Sequence, residues 1–311
     1  MLRLLLTASL AHALLVSCAH NDPQKKPSKT LLSFGISALS PINIGESVKI
    51  TSKHTGETHI VNIWTPPKMG KDEKTHPVLY VLDGGVDQDF QHIAGLAQLA
   101  SISNRFDAPI VVGIRTSNRY YQLTPKMTDP RYLSWNGTED NPESGGADDF
   151  HNYITLEVVP FVEGKYPVNS RKTLMGESLA GFYVAREFLR HPDGFTDYIS
   201  ISPSLWLDDQ KLAKEAPALL ATHDHTPRNL YFTMADEGGT MQAGLDKVLA
   251  AINMHAPENL NIIYVDRRDT DTHATIYHGA ALDALIQFFG KPAPDYGEPP
   301  WYLTEGASPE G

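Results

Sequence analysis

The chain is 311 residues long, 41% hydrophobic and 20% charged, with a formal net charge of −11 at pH 7. These values are ordinary for a globular protein with room for one large α/β domain, and they exclude a fibrous or low-complexity chain. An acidic balance with no long basic run excludes nucleic acid as a partner and excludes polybasic docking on a membrane.

Met1-Leu2-Arg3 carries one positive charge, and Leu4 to Val16 is mostly apolar, with His12 the odd residue. The run is too short to span a membrane and has the form of an export-signal core. It ends in Leu15-Val16-Ser17-Cys18, and Cys18 is the only cysteine. This tetrapeptide resembles the lipobox of bacterial lipoproteins. The resemblance implies removal of residues 1–17, acylation of Cys18 and anchoring to a membrane by several acyl chains. The expected location is the cell envelope, facing the periplasm. Ala19, where inner-membrane retention uses aspartate, favours the outer membrane. A structural disulfide is excluded for want of a second cysteine. Residues 18–43 read as the lipidated cysteine and a flexible tether, polar and rich in lysine and proline from Ala19 to Thr30.

Residues 44–290 read as a single domain. Val48 to Ser52 and His59 to Trp64 suit paired antiparallel strands. Val78 to Leu82 is a buried strand ending in Asp83-Gly84-Gly85, and Ile110 to Ile114 is a second apolar run of the kind central parallel strands show. Arg119 to Ala147 reads as a long functional loop, rich in Pro, Gly, Asn and Asp. Within it Asn136-Gly137-Thr138 has the form of a glycosylation sequon, silent in a bacterial lipoprotein. Asp148 to Tyr166 has helical spacing. Arg171 to Met175 is a strand, Leu179 to Leu189 a helix, Tyr198 to Ser202 and Leu230 to Met234 strands, Met241 to Ile252 a helix, Leu260 to Val265 the last strand and Ala280 to Phe289 the last helix. Residues 291–311 form a Pro- and Gly-rich tail. Strands alternating with helices predict a mostly parallel central sheet with helices on both faces, an α/β-hydrolase fold.

The decisive segment is Gly176-Glu177-Ser178-Leu179-Ala180-Gly181, lying between a strand and a helix. A serine on such a turn, flanked by small residues, has the form of a nucleophile elbow. Its strain lifts the hydroxyl clear of the sheet, and the helix start offers free N–H groups. The bland reading is a serine N-cap. Position tells against it, because partners follow in the order such hydrolases need. The strand Leu230 to Met234 runs into Asp236-Glu237, either of which could be the orienting acid, and the last strand leads to His273, the expected base. His278 is a rival base, but it falls at the start of the final helix. His151, His255 and the His223-Asp224-His225 cluster have no such placement. No ligand set completes a metal site, and serine chemistry of this kind needs neither a metal nor a cofactor. Leu179 would give one oxyanion N–H, and the Gly84-Gly85 loop the other.

These segments resemble the putative-esterase family of α/β-hydrolases, which includes esterase D, mycolyltransferases and ferric-enterobactin esterases. The likeness is carried by Pro77 to Gly84, by Ile110 to Ile114 with Asn118-Arg119 and Leu123-Thr124-Pro125, by Phe150 to Tyr166, by Gly176 to Gly181 and by Ile199 to Trp206. It covers Ile44 to Phe289. It implies Ser178 as nucleophile, His273 as base, Glu237 before Asp236 as the acid, Gly85 and Leu179 as oxyanion donors, and Trp206 and Arg119 at the substrate cleft. Two positions depart from the family pattern: Glu177 stands where histidine is frequent, and Ala180 where glycine is. The expected activity is hydrolysis of a carboxylic ester through an acyl-enzyme, with a small-molecule ester as partner, such as a siderophore trilactone. Acyl transfer, thioester hydrolysis and an inactive tethered binding module are the alternatives.

Overall fold

The computed structural model describes residues 40–67, 69, 74–129, 131, 143–292, 297–299 and 301–304. Residues 1–17, Cys18, most of the 18–43 segment, the sequon and most of the tail lie outside the described residues. The chain divides into two units, Met1–Asn43 and Ile44–Gly311, and every element named below belongs to the second.

Six strands run parallel: β3 (His76–Leu82), β4 (Ile110–Ile114), β5 (Val168–Glu177), β6 (Asp197–Ile201), β7 (Arg228–Met234) and β8 (Leu260–Asp266). The opening pair, β1 (Glu46–Thr51) and β2 (Thr58–Trp64), is antiparallel, and β2 joins the rest antiparallel to β4. The strand order is β1-β2-β4-β3-β5-β6-β7-β8. This is the mostly parallel sheet that the alternation of elements predicts. Continuous burial along β4 and β6 reflects cover on both faces.

Alternation along the strands divides the apolar side chains between two cores. Tyr80, Leu82, Leu174 and Phe232 face one core, shared with α3 (Ala147–Tyr153), α4 (Val159–Lys165), α5 (Leu179–Arg190), α6 (Leu207–Leu220) and α7 (Gly239–His255). Leu79, Val81, Met175 and Tyr231 face the other, under α1 (Phe90–Ser103) and α8 (Ile276–Phe289). A short α2 (Arg119–Leu123) precedes α3, and a single turn, α9 (Trp301–Thr304), lies in the tail.

Helix α5 is buried from Leu179 through Leu189. Truncating Phe188, which is fully buried, removes about 3–5 kcal/mol of packing. The helix also buries two charges. Arg186 Nη1 donates to Glu187 Oε1 at 2.6 Å, and Glu187 Oε2 meets His151 Nδ1 at 2.5 Å.

Three features differ from the sequence expectations. Helices α1 and α6 have no counterpart there. The first buries three alanines beside Phe90, Ile93 and Leu96 and has no side-chain cap at Asp89. The second opens on three left-handed residues, Asp208 to Gln210, and contains Pro217, so it lacks a regular period. The Arg119 to Ala147 stretch is not loop throughout, since α2 occupies its start. The helical run from Asp148 to Tyr166 is interrupted by a π-helical turn, Ile154–Val158. Pro160 follows at once, and its missing N–H would break a regular helix there.

Candidate active site

Strand β5 ends at Glu177 and α5 starts at Leu179, so Ser178 alone makes the corner. Its backbone is left-handed, φ 60° and ψ −116°. The turn is held by Ser178 N–H donating to Ile201 O at 2.9 Å, and by Ser178 O accepting from Phe182 N at 2.9 Å and Ser204 N at 3.0 Å. A side chain at residue 176 would place its Cβ 2.7 Å from Ala180, so only glycine fits there. The close approach to β6 is made by Gly181, not by residue 180, which is why alanine is accommodated at 180.

His273 lies on the loop between β8 and α8. Arg267 N–H donates to Met234 O at 3.0 Å, and Asp236 N–H donates to Asp271 O at 3.2 Å. These bonds tie the histidine loop to the end of β7, where the acids lie. His273 Nε2 is 2.9 Å from Ser178 Oγ, and His273 Nδ1 is in short contact with Glu237 Oε1. The structure thus joins three of the sequence candidates in one line, with Glu237 the carboxylate that meets the imidazole. The Asp236 side chain is exposed and makes no contact with the imidazole; this residue contributes its main-chain N–H instead. The turn after Glu237 uses Gly238 at φ 60°. His278 faces away and pairs with His92, Nδ1 to Nε2 at 2.8 Å.

The hydrogen bond that His273 donates to Glu237 raises the His273 pKa above its ordinary value against an opposing effect of burial, and the charge of Glu177 adds to the rise. Burial disfavours ionised Glu237, but its hydrogen bonds, led by that from His273, prevail and hold its pKa low. Burial pushes Glu177 up to about 7 in spite of His273 and Arg119, and Asp89 and Asp83 push the same way. An imidazole oriented at one nitrogen by a carboxylate and facing a hydroxyl at the other can accept the hydroxyl proton.

The expected oxyanion donors differ in their state. Leu179 is the first residue of α5, where N–H groups have no intrahelical acceptor. Gly85 N–H is occupied: it donates to Gln88 Oε1 at 2.9 Å, while Gln88 Nε2 donates to Thr116 O at 3.2 Å. The loop sits close because a Cβ at Gly84 would fall 2.3 Å from Gly113 Cα. Gln88 gives no signal in the sequence, since it reaches the amide only through this loop's path.

Ser178 opens onto a cleft of about 280 Å³ with Arg119, Tyr120, Ser204, Trp206 and Met241 on its walls. Both expected lining residues lie on these walls, and Tyr120, Ser204 and Met241 join them with no signal in the sequence. Arg119 Nε donates to Asp83 Oδ2 at 2.8 Å, which fixes the guanidinium at the rim. Among the described residues, one trio of side chains could hold a metal ion: His151, Glu187 and His191. Arg186 already donates to Glu187 there. The His223-Asp224-His225 cluster is engaged elsewhere: His223 Nε2 bonds Leu189 O at 3.1 Å, and Asp224 bonds Arg228 at 2.7 Å.

A family model described as putative esterase matches residues 52–280. The chain belongs to the putative esterase family. Among curated members of similar sequence, a siderophore triacetylfusarinine C esterase of Aspergillus fumigatus is 28% identical over 187 residues, which cover 55% of this chain and 61% of that protein. A siderophore enterobactin esterase of Emericella nidulans is 33% identical over 114 residues, 35% of this chain and 37% of that protein. The chain thus spans less than two thirds of the length of these curated relatives. Among solved structures, an IroE-like serine hydrolase from Shewanella oneidensis superposes with a TM-score of 0.68 at 27% identity, covering 79% of this chain and 80% of that one. The BES protein from Bacillus cereus superposes with a TM-score of 0.70 at 20% identity, over 82% of this chain and 99% of that one, and so shares the α/β-hydrolase fold.

Proposed function

We propose that this member of the esterase family hydrolyses carboxylic esters through an acyl-enzyme on Ser178. The observation that carries the reading is the line Ser178 Oγ, His273, Glu237, with 2.9 Å between the hydroxyl and the imidazole Nε2 and the serine held at φ 60°. His273 takes the Ser178 proton as Oγ attacks the ester carbonyl. Glu237 orients the ring and balances the imidazolium. The tetrahedral oxygen is held by Leu179 N–H and by Gly85 N–H once the Gln88 side chain swings off it. The imidazolium then gives its proton to the departing alkoxide, and a water activated by the freed imidazole releases the acid.

The relatives' names point to siderophore esters as the substrate class, and a lactone of that kind presents the carbonyl this site needs. A fluorophosphonate probe tests the chemistry directly. It should label the protein once, on Ser178, and the label should vanish in Ser178→Ala. A folded protein that takes no label would leave the inactive binding module as the better account.

For the segment before the domain, we propose removal of residues 1–17 and acylation of Cys18, with the mature chain held at the outer membrane. The single cysteine and the apolar run before it support this. Incorporation of an alkyne fatty acid that survives Cys18→Ala would refute it.

A further inference from the structure

Glu177 is a carboxylate that a Ser–His–acid relay does not require. Its Oε1 lies 3.3 Å from His273 Nε2, the nitrogen that also faces Ser178 Oγ at 2.9 Å. That oxygen is buried and accepts no hydrogen bond. The imidazole is therefore flanked by carboxylates at both nitrogens, Glu237 at Nδ1 and Glu177 at Nε2.

The other groups around Glu177 do not neutralise it. Arg119 on α2 lies nearest, but its Nε is engaged by Asp83 at 2.8 Å, and Nη2 reaches only the main-chain oxygen of Glu177, at 3.5 Å. Asp83, after β3, and Asp89, before α1, both repel a charge on Glu177. Tyr277 on α8 is influenced by the charges of Asp89, Asp83 and Glu177, and its buried hydroxyl has no hydrogen-bond partner. One guanidinium thus serves three carboxylates, and among the described residues the imidazole is the other cation that acts on Glu177.

We infer that Glu177 is a second carboxylate partner of the catalytic imidazole, which steadies the imidazolium during ester cleavage and, by the same contact, retains a proton on the resting pair until the pH rises. The inference rests on the esterase reading above. In the chemical step the proton passes from Ser178 Oγ to His273 Nε2 and on to the leaving oxygen. Glu177 exchanges none; its charge lies beside the Nε2–H while that bond exists. In the resting enzyme the attraction acts against catalysis, because a proton on Nε2 blocks the lone pair that must accept from serine.

The directions of titration agree. The charge of Glu177 is one of the influences raising His273, and His273 in turn lowers Glu177 against the dominant effect of burial. A base with a raised pKa is protonated and inactive below that value, so activity falls as the pH drops through it. Removing the Glu177 charge lowers the His273 value and carries the acid limb of the profile to lower pH.

The experiment follows the pH dependence of fluorophosphonate labelling and of kcat/KM on p-nitrophenyl butyrate, for the full chain and for Glu177→Gln. The acid-limb midpoint should fall by about one pH unit, within the range that a close opposite charge produces. The alkaline plateau should drop about three- to tenfold, since one pKa unit of imidazolium stabilisation corresponds to at most tenfold. A Glu177→Gln protein whose plateau drops with no movement of the midpoint shows a structural role only and overturns the inference. Wild-type protein that never labels defeats the esterase reading instead. If Glu177→Gln does not fold, nitrogen-15 NMR of His273 in the wild type decides: two coupled titration steps support the pair, and one step at the ordinary imidazole value overturns it.

Discussion

Two histidine–carboxylate contacts in this molecule have nearly the same local form and very different surroundings. His273 meets Glu237 at the cleft, and His151 meets Glu187 beneath α5, each through Nδ1. Glu187 is 1% exposed and also bound by Arg186, while the His151 ring stacks on His191 at 4.0 Å. His273 is 43% exposed, and its second nitrogen faces a hydroxyl on a strained corner. A carboxylate on an imidazole is therefore not in itself a catalytic feature. What matters is the group at the far nitrogen and whether a substrate can reach it.

The comparison can be tested by removing each partner. Glu237→Gln should lower kcat/KM by about two to four orders of magnitude, since the ring loses both its fixed tautomer and its balancing charge. Arg186→Met, in the interior pair, should leave kcat/KM unchanged and lower stability by about 3–5 kcal/mol, because the buried Glu187 carboxylate loses its guanidinium partner and keeps only the His151 contact. Urea unfolding measures that loss; a large fall in turnover with stability intact would mean that the two pairs are coupled. Asp236→Asn should have the smallest effect, less than about threefold on kcat/KM, because only its main chain holds the histidine loop. A larger loss at 236 than at 237 would reverse the assignment of the acid.

The sheet was readable from the sequence because a strand covered on both faces must be apolar along its whole length, as Ile110 to Ile114 is. Helix α1 was not, because half of its buried residues are alanine and no side chain caps its start, and α6 was not, because its left-handed start and internal proline erase the period. The order of serine, acid and histidine along the chain follows strand ends, so their arrival at one place could be anticipated. Between Asp236 and Glu237 only the family resemblance gave an order, with Glu237 first; the position of the strand end left both open, since the choice depends on the direction each side chain takes before Gly238. The occupation of Gly85 N–H by Gln88 and the approach of Glu177 to His273 could not be anticipated, since each joins segments far apart in the chain or depends on a loop's path.

The corner at Ser178 has a further consequence. A non-glycine residue held at such a φ costs on the order of 1–3 kcal/mol, which the rest of the domain must absorb. On the proposed acyl-enzyme chemistry, heat tolerance and reactivity are thus in opposition at this one codon. A library screened for thermal survival alone would drift toward Ser178→Gly, a sturdier fold with nothing left to acylate.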